Sequence, residues 1–206
     1  MGHGLLRGIA IVAKSIAQFD GRTHDNYRLR KGLCKRALRR KQSVKDNAMS
    51  LNDQIFALVR AEGPASCLRF LDEHGPGRNG EDRRVIAHWR ASFLAKEGRN
   101  DAALKVLDAA TADFTCQSSF ALQKARILTN LGRISDAIAT LKAAPIAEEV
   151  ATFPGLAWEA AYFCCYLVAK QGDAPPRDLL DLIPNDFETM LDGKFLAKSN
   201  LVSGRF

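Results

Sequence analysis

Apolar residues recur three and four positions apart through most of the chain, the spacing of a helix with one buried face. Leu5, Ile9, Val12, Ile16 and Phe19 form the first such stripe, which "DGRTHDN" interrupts. A second stretch, from about Tyr27 to Lys45, places only Leu29, Leu33 and Ala37 on one side among many cations. So thin an apolar face needs a partner surface to stay helical. Ser50 in "SLND" offers a helix cap with an acid in the first turn, and Pro64 suits the first turn of the following helix. The glycine-rich "HGPGRNGED" (74–82) reads as a connector, since it lacks the Lys-Ser/Thr ending of a phosphate-binding loop. Three longer helical stretches follow, Val85 to Glu97, Phe120 to Leu131 and Trp158 to Gln171, and each runs into a glycine. Two short amphipathic segments, around Leu179–Ile183 and Phe187–Leu196, close the chain. No segment alternates convincingly enough to predict a strand, so the expected fold class is all-α.

Two of these blocks say nearly the same thing. "KEGRNDAALKVLDAA" from Lys96 and "NLGRISDAIATLKAA" from Asn130 align at a spacing of 34 residues. Gly98 falls on Gly132, Arg99 on Arg133, Ala103 on Ala137, Leu107 on Leu141 and Ala110 on Ala144. In the preceding helices Ala91 and Leu94 fall on Ala125 and Leu128. One hairpin of this kind cannot bury its own apolar face; stacked copies can.

A Gly-containing turn between paired helices, recurring every 34 residues with small residues at the crossing points, resembles the tetratricopeptide repeat. The resemblance is good over residues 85–144. It degenerates around Gly63, where Phe56 takes a small position, and around Gly172, which lies 40 residues beyond Gly132 and places Arg177 where Ala is usual. It implies a right-handed superhelix of antiparallel hairpins, an α-solenoid, over residues 50–184. A basic helical region, 1–49, would precede it, and a C-terminal capping helix within 185–206 would close its end. It also implies a concave groove lined by the first helix of each pair. Carried over, the groove residues are His88, Trp89, Ser92 and Lys96 from one repeat; Gln123, Arg126 and Asn130 from the next; and Tyr162, Phe163, Tyr166 and Lys170 from the last. Trp89, Phe163 and Tyr166 fit either a groove or the core between helices. The family's carboxylate-clamping Lys and Asn are not reproduced, since His88 and Ser92 stand at those positions.

Charge adds a second feature. The net charge of the 206-residue chain is +7, yet residues 1–50 hold twelve Lys/Arg and three acids, while the remainder sums to −2. The densest part contains Arg28, Arg30, Lys31 and Lys35, then Arg36, Arg39, Arg40 and Lys41. Such a block attracts RNA, anionic lipid or an acidic protein face, or is simply a solvated helix face. Residues 4–19 are apolar, basic and acid-free, which suits an organellar import helix better than a secretory signal.

Candidate chemistry changes little. Five cysteines without a C-x-x-C pair read as reduced core thiols, and four histidines without ligand spacing predict no metal. The adjacent acids Asp72–Glu73 and Glu148–Glu149 read as solvated, and no cofactor loop or nucleophile motif appears. The expectation is a non-enzymatic adaptor or assembly factor holding an acidic or amphipathic protein segment in its groove. The alternative is an RNA- or anionic-membrane-associated protein working through its N-terminal helices. The expected compartment is the cytoplasm, or an organelle matrix after import.

Overall fold

The computed structural model describes residues 50–206, except 76, 77, 79, 114, 192 and 206. The N-terminal stripe at 5–19 and the basic block at 28–45 therefore lie outside the described residues. Ten helices and one two-stranded hairpin make up the described chain. They run α1 (Leu51–Glu62), α2 (Pro64–His74), α3 (Gly80–Lys96), α4 (Asn100–Asp113), α5 (Gln117–Asn130), α6 (Ile134–Lys142) and α7 (Ile146–Glu149). After these come α8 (Pro154–Lys170), α9 (Arg177–Leu182), β1 (Glu188–Leu191), β2 (Lys194–Ala197) and α10 (Lys198–Ser203). The chain is mostly helical, as its periodicity predicts. None of the described helices is long and apolar enough to cross a membrane. Two compact units divide between Ala103 and Leu104.

In the first unit, Ser50 caps α1 by accepting the Asp53 N–H on its hydroxyl at 3.2 Å. Pro64 stands in the first turn of α2, where its missing N–H costs nothing. The helices α1, α2 and α3 pack on one another. Trp89 ties α3 to α1: its indole N–H donates to Asn52 Oδ1 at 2.8 Å, and its ring meets Phe56 edge-on with centroids 5.0 Å apart. Phe93 stacks on its other side.

Three helix ends share one geometry. Gly98, Gly132 and Gly172 have φ of 76°, 74° and 89°, a region that side-chain-bearing residues rarely adopt. Behind each glycine the next N–H reaches back to a carbonyl five residues earlier: Arg99 to Leu94 at 2.9 Å, Arg133 to Leu128 at 2.8 Å, Asp173 to Val168 at 3.3 Å. The glycine N–H bonds the carbonyl three residues back in each case, completing a Schellman turn. After Arg99 and Arg133 the next helix begins at once. After Asp173 it waits until Arg177, because Pro175 and Pro176 intervene and Pro176 serves as the cap of α9. Ala91, Ala125, Ala103, Ala137, Leu107 and Leu141 are all fully buried.

The second unit is organised around α8. Its apolar length, from Ala160 to Val168, is buried on every side, and α5, α6, α7, α9 and α10 pack against it. A carboxylate that the sequence places in a solvated pair has a different role. Glu148 is exposed, but Glu149 is only 6% exposed. It accepts the backbone N–H groups of Gln117 at 2.6 Å and Ser118 at 3.0 Å, capping α5 from 32 residues away. The first-turn amides of α5 would otherwise be orphaned, and the negative charge suits the positive end of the helix. Glu149→Ala is expected to lower the unfolding free energy by ~2–3 kcal/mol, read from a urea titration. Glu149→Gln, which keeps an acceptor, should lose less.

The segment expected to supply a C-terminal helix starts instead with a hairpin. Glu188–Leu191 pairs antiparallel with Lys194–Ala197, with Leu191 opposite Lys194. The two-residue link reads Asp-Gly, and Gly193 takes φ 75°; this dipeptide favours a tight hairpin turn over a continuing helix. The hairpin sends Leu191 and Leu196 into the core around α8. Only after it does a short helix, α10, follow, with Leu201 buried.

Candidate functional site

Two of the three expected groove contributions fall in the second unit, and the structure brings them together on α5 and α8. Glu159, Phe163, Tyr166 and Lys170 are spaced four, three and four along α8, so they share one face. Arg126 comes from α5, which packs against α8. Its guanidinium donates to Glu159 Oε1 at 2.6 Å and stands 5.9 Å from the Phe163 ring centroid. Phe163 and Tyr166 lie with ring planes 19° apart and centroids 6.3 Å apart. The Lys170 ammonium sits 4.9 Å above the Tyr166 ring. The result is a ladder: an ion pair, two near-parallel aromatics, then a cation. Each cation faces a ring's negative π-surface, an arrangement that favours Arg and Lys over neutral side chains.

Burial sorts the expected residues. Phe163 and Tyr166 are buried, with only their cationic neighbours reaching toward solvent. Arg126 is half-buried, and Lys170 and Asn130 are exposed. Gln123 is half-buried, one turn before Arg126. Tyr162 is fully buried, and its hydroxyl donates to the Ala197 carbonyl at 3.1 Å, pinning β2 to α8. Burial pushes the Tyr162 phenol up to about 12, with the neighbouring Tyr166 and Cys165 adding to the shift, so it stays a neutral donor. In the first unit Trp89 is 5% exposed and lies between Phe56 and Phe93; Ser92 is buried, His88 half-buried and Lys96 exposed.

Glu159 was not among the expected residues. Its position four residues before Phe163 on the same helix face was the available signal. With its side chain 14% exposed, it holds Arg126 over Phe163 and cancels its charge. The ladder therefore presents a neutral pair at one end and a cation at the other, a pattern suited to an amphipathic segment rather than a uniformly acidic one.

The cysteines add packing. Cys67, Cys116, Cys164 and Cys165 are free and buried. Burial pushes the Cys67 and Cys164 thiols up to about 11 and Cys165 to about 12, which keeps them protonated and poorly nucleophilic at neutral pH. Among the described residues no group of three or more His, Cys, Asp or Glu side chains is placed to hold a metal ion. No protein-family model, curated protein or solved structure matches the chain.

Proposed function

We propose that the chain is a non-enzymatic interaction protein, an adaptor or assembly factor, that holds an amphipathic segment of a partner protein along α5 and α8. The Arg126–Phe163–Tyr166–Lys170 ladder is the observation that carries this reading. Its cations and its ion pair stand at the edge of a rigid, aromatic-backed helix pair, the residue types that dominate binding hot spots. The three equivalent Schellman turns and the buried alanines at the helix crossings support a solenoid of tetratricopeptide-like hairpins as its frame. The proposed compartment is the cytoplasm, with import into an organelle matrix as the alternative.

The test is affinity capture with the full chain, in the presence of nuclease, using a substitution at the ladder. Arg126→Glu would set two carboxylates against each other beside Phe163, so it perturbs folding as well as recognition. Arg126→Gln combined with Glu159→Gln removes both charges and keeps both shapes. The double variant is expected to lose captured partner by roughly tenfold or more, while its melting temperature stays within a few degrees. Undiminished capture would place the working surface elsewhere, and the basic N-terminal block would become the leading reading.

A further inference from the structure

The hairpin has a second face. Facing residues of an antiparallel pair lie on the same side, and sides alternate along each strand. Leu191 and Leu196 point into the core, so Met190 and its partner Phe195, with Glu188 and its partner Ala197, lie on the opposite side. Phe195 is 71% exposed there, and Val202 on the adjoining α10 is 70% exposed. These are the most exposed large apolar side chains among the described residues.

This apolar spot has an acidic approach. Asp173, Asp178, Asp181, Asp186 and Glu188 are all exposed, and none has a cation partner among the described residues. Arg177 is the only cation between Gly172 and Gly193. The surface thus combines an uncovered aromatic with uncompensated negative charge, which two properties of an occupant would satisfy together: an apolar stripe and a basic flank.

The chain contains one segment with both. Residues 4–19 carry Leu5, Ile9, Val12, Ile16 and Phe19 on one helical stripe, with Arg7 and Lys14 and no acid before Asp20. The block at 28–45 has more charge but only Leu29, Leu33 and Ala37 as its apolar side. Residues 20–49, the tether to α1, reach up to ~100 Å when extended, so chain length leaves the segment free to fold back. We propose that residues 4–19 dock as an amphipathic helix on the outer face of the C-terminal hairpin, with the stripe over Phe195 and the cations toward the acidic segment 173–188.

Hydrogen–deuterium exchange on the full chain at low ionic strength tests this. Amides of residues 6–19 are expected to exchange roughly tenfold or more slowly than in the free peptide of the same sequence. Phe195→Ser should return them to the peptide's rate while the amides of α5 and α8 keep theirs, since an exposed side chain contributes little to the core. Ile9→Ser should release the segment from the other side of the contact. The proposal fails if residues 6–19 exchange freely in the unsubstituted chain, or if Phe195→Ser leaves their protection intact. It also fails if protection rises with protein concentration, which would make a second copy the source.

Discussion

Ala137→Arg is expected to abolish the cooperative thermal transition of the unit that begins at Leu104, with loss of most of its helical circular-dichroism signal. Ala137 is fully buried on α6, whose apolar side packs on both α5 and α8. The surrounding cluster contains Ala125, Leu128, Leu141, Ala160 and Ala161, and none of these can accept a hydrogen bond from a guanidinium side chain. Overpacking costs ~1–3 kcal/mol, and an unpaired buried charge adds several kcal/mol more. A domain of this size has about 5–15 kcal/mol in total. The same substitution at Ala139, exposed on the same helix, is expected to change stability by no more than ~0.5 kcal/mol. Ala103→Arg should behave like Ala137→Arg, since Ala103 occupies the matching position and is equally buried. An Ala137→Arg protein with the unsubstituted melting temperature would show that the small residue is not needed at that crossing.

Much of this was legible in the chain because it is written locally. Gly98 and Gly132 announce left-handed helix ends, and the alanines three and four residues apart mark where helices approach. What was not legible depends on contacts distant in sequence. Glu149 reads as half of a solvated acidic pair until the chain brings it beside the start of α5, 32 residues earlier. Tyr162, Phe163 and Tyr166 look like groove anchors in a repeat register, but α8 is enclosed on nearly all sides and they become largely packing. Trp89 is likewise held between Phe56 and Phe93. The hairpin escaped detection because each strand has only four residues, too few for alternation to stand out. Glu-Thr-Met-Leu and Lys-Phe-Leu-Ala have a mixed character, and the Asp-Gly between them was the informative signal.

Replacing Arg36, Arg39, Arg40 and Lys41 together by Gln is expected to abolish binding of single-stranded RNA homopolymers or anionic vesicles at low salt. These residues lie outside the described structure, so the expectation rests on charge alone. Residues 28–45 carry nine cations and no acid, in a chain whose other parts nearly cancel. Each phosphate neutralised releases a counterion, so affinity for single strands falls with salt at a slope of roughly −0.7 per contact. Engagement of eight cations would weaken binding by ~10³-fold between 50 and 200 mM salt. Removing four should flatten that slope by about 3. Sequence preference should be slight, because Tyr27 is the only aromatic beside the block and base stacking has little else to use. The buried core of residues 50–206 contains none of the four substituted positions, so the melting temperature should not move. Titrations at several salt concentrations, with poly(U), poly(A) and anionic vesicles, separate the cases. Binding that ignores salt would mean a shaped site rather than a charged surface, and no binding at low salt would leave the block as a solvated helix face. Binding to vesicles but not RNA, lost in the same variant, would assign the block to a membrane surface, where residues 4–19 would insert their apolar stripe instead of docking on the hairpin.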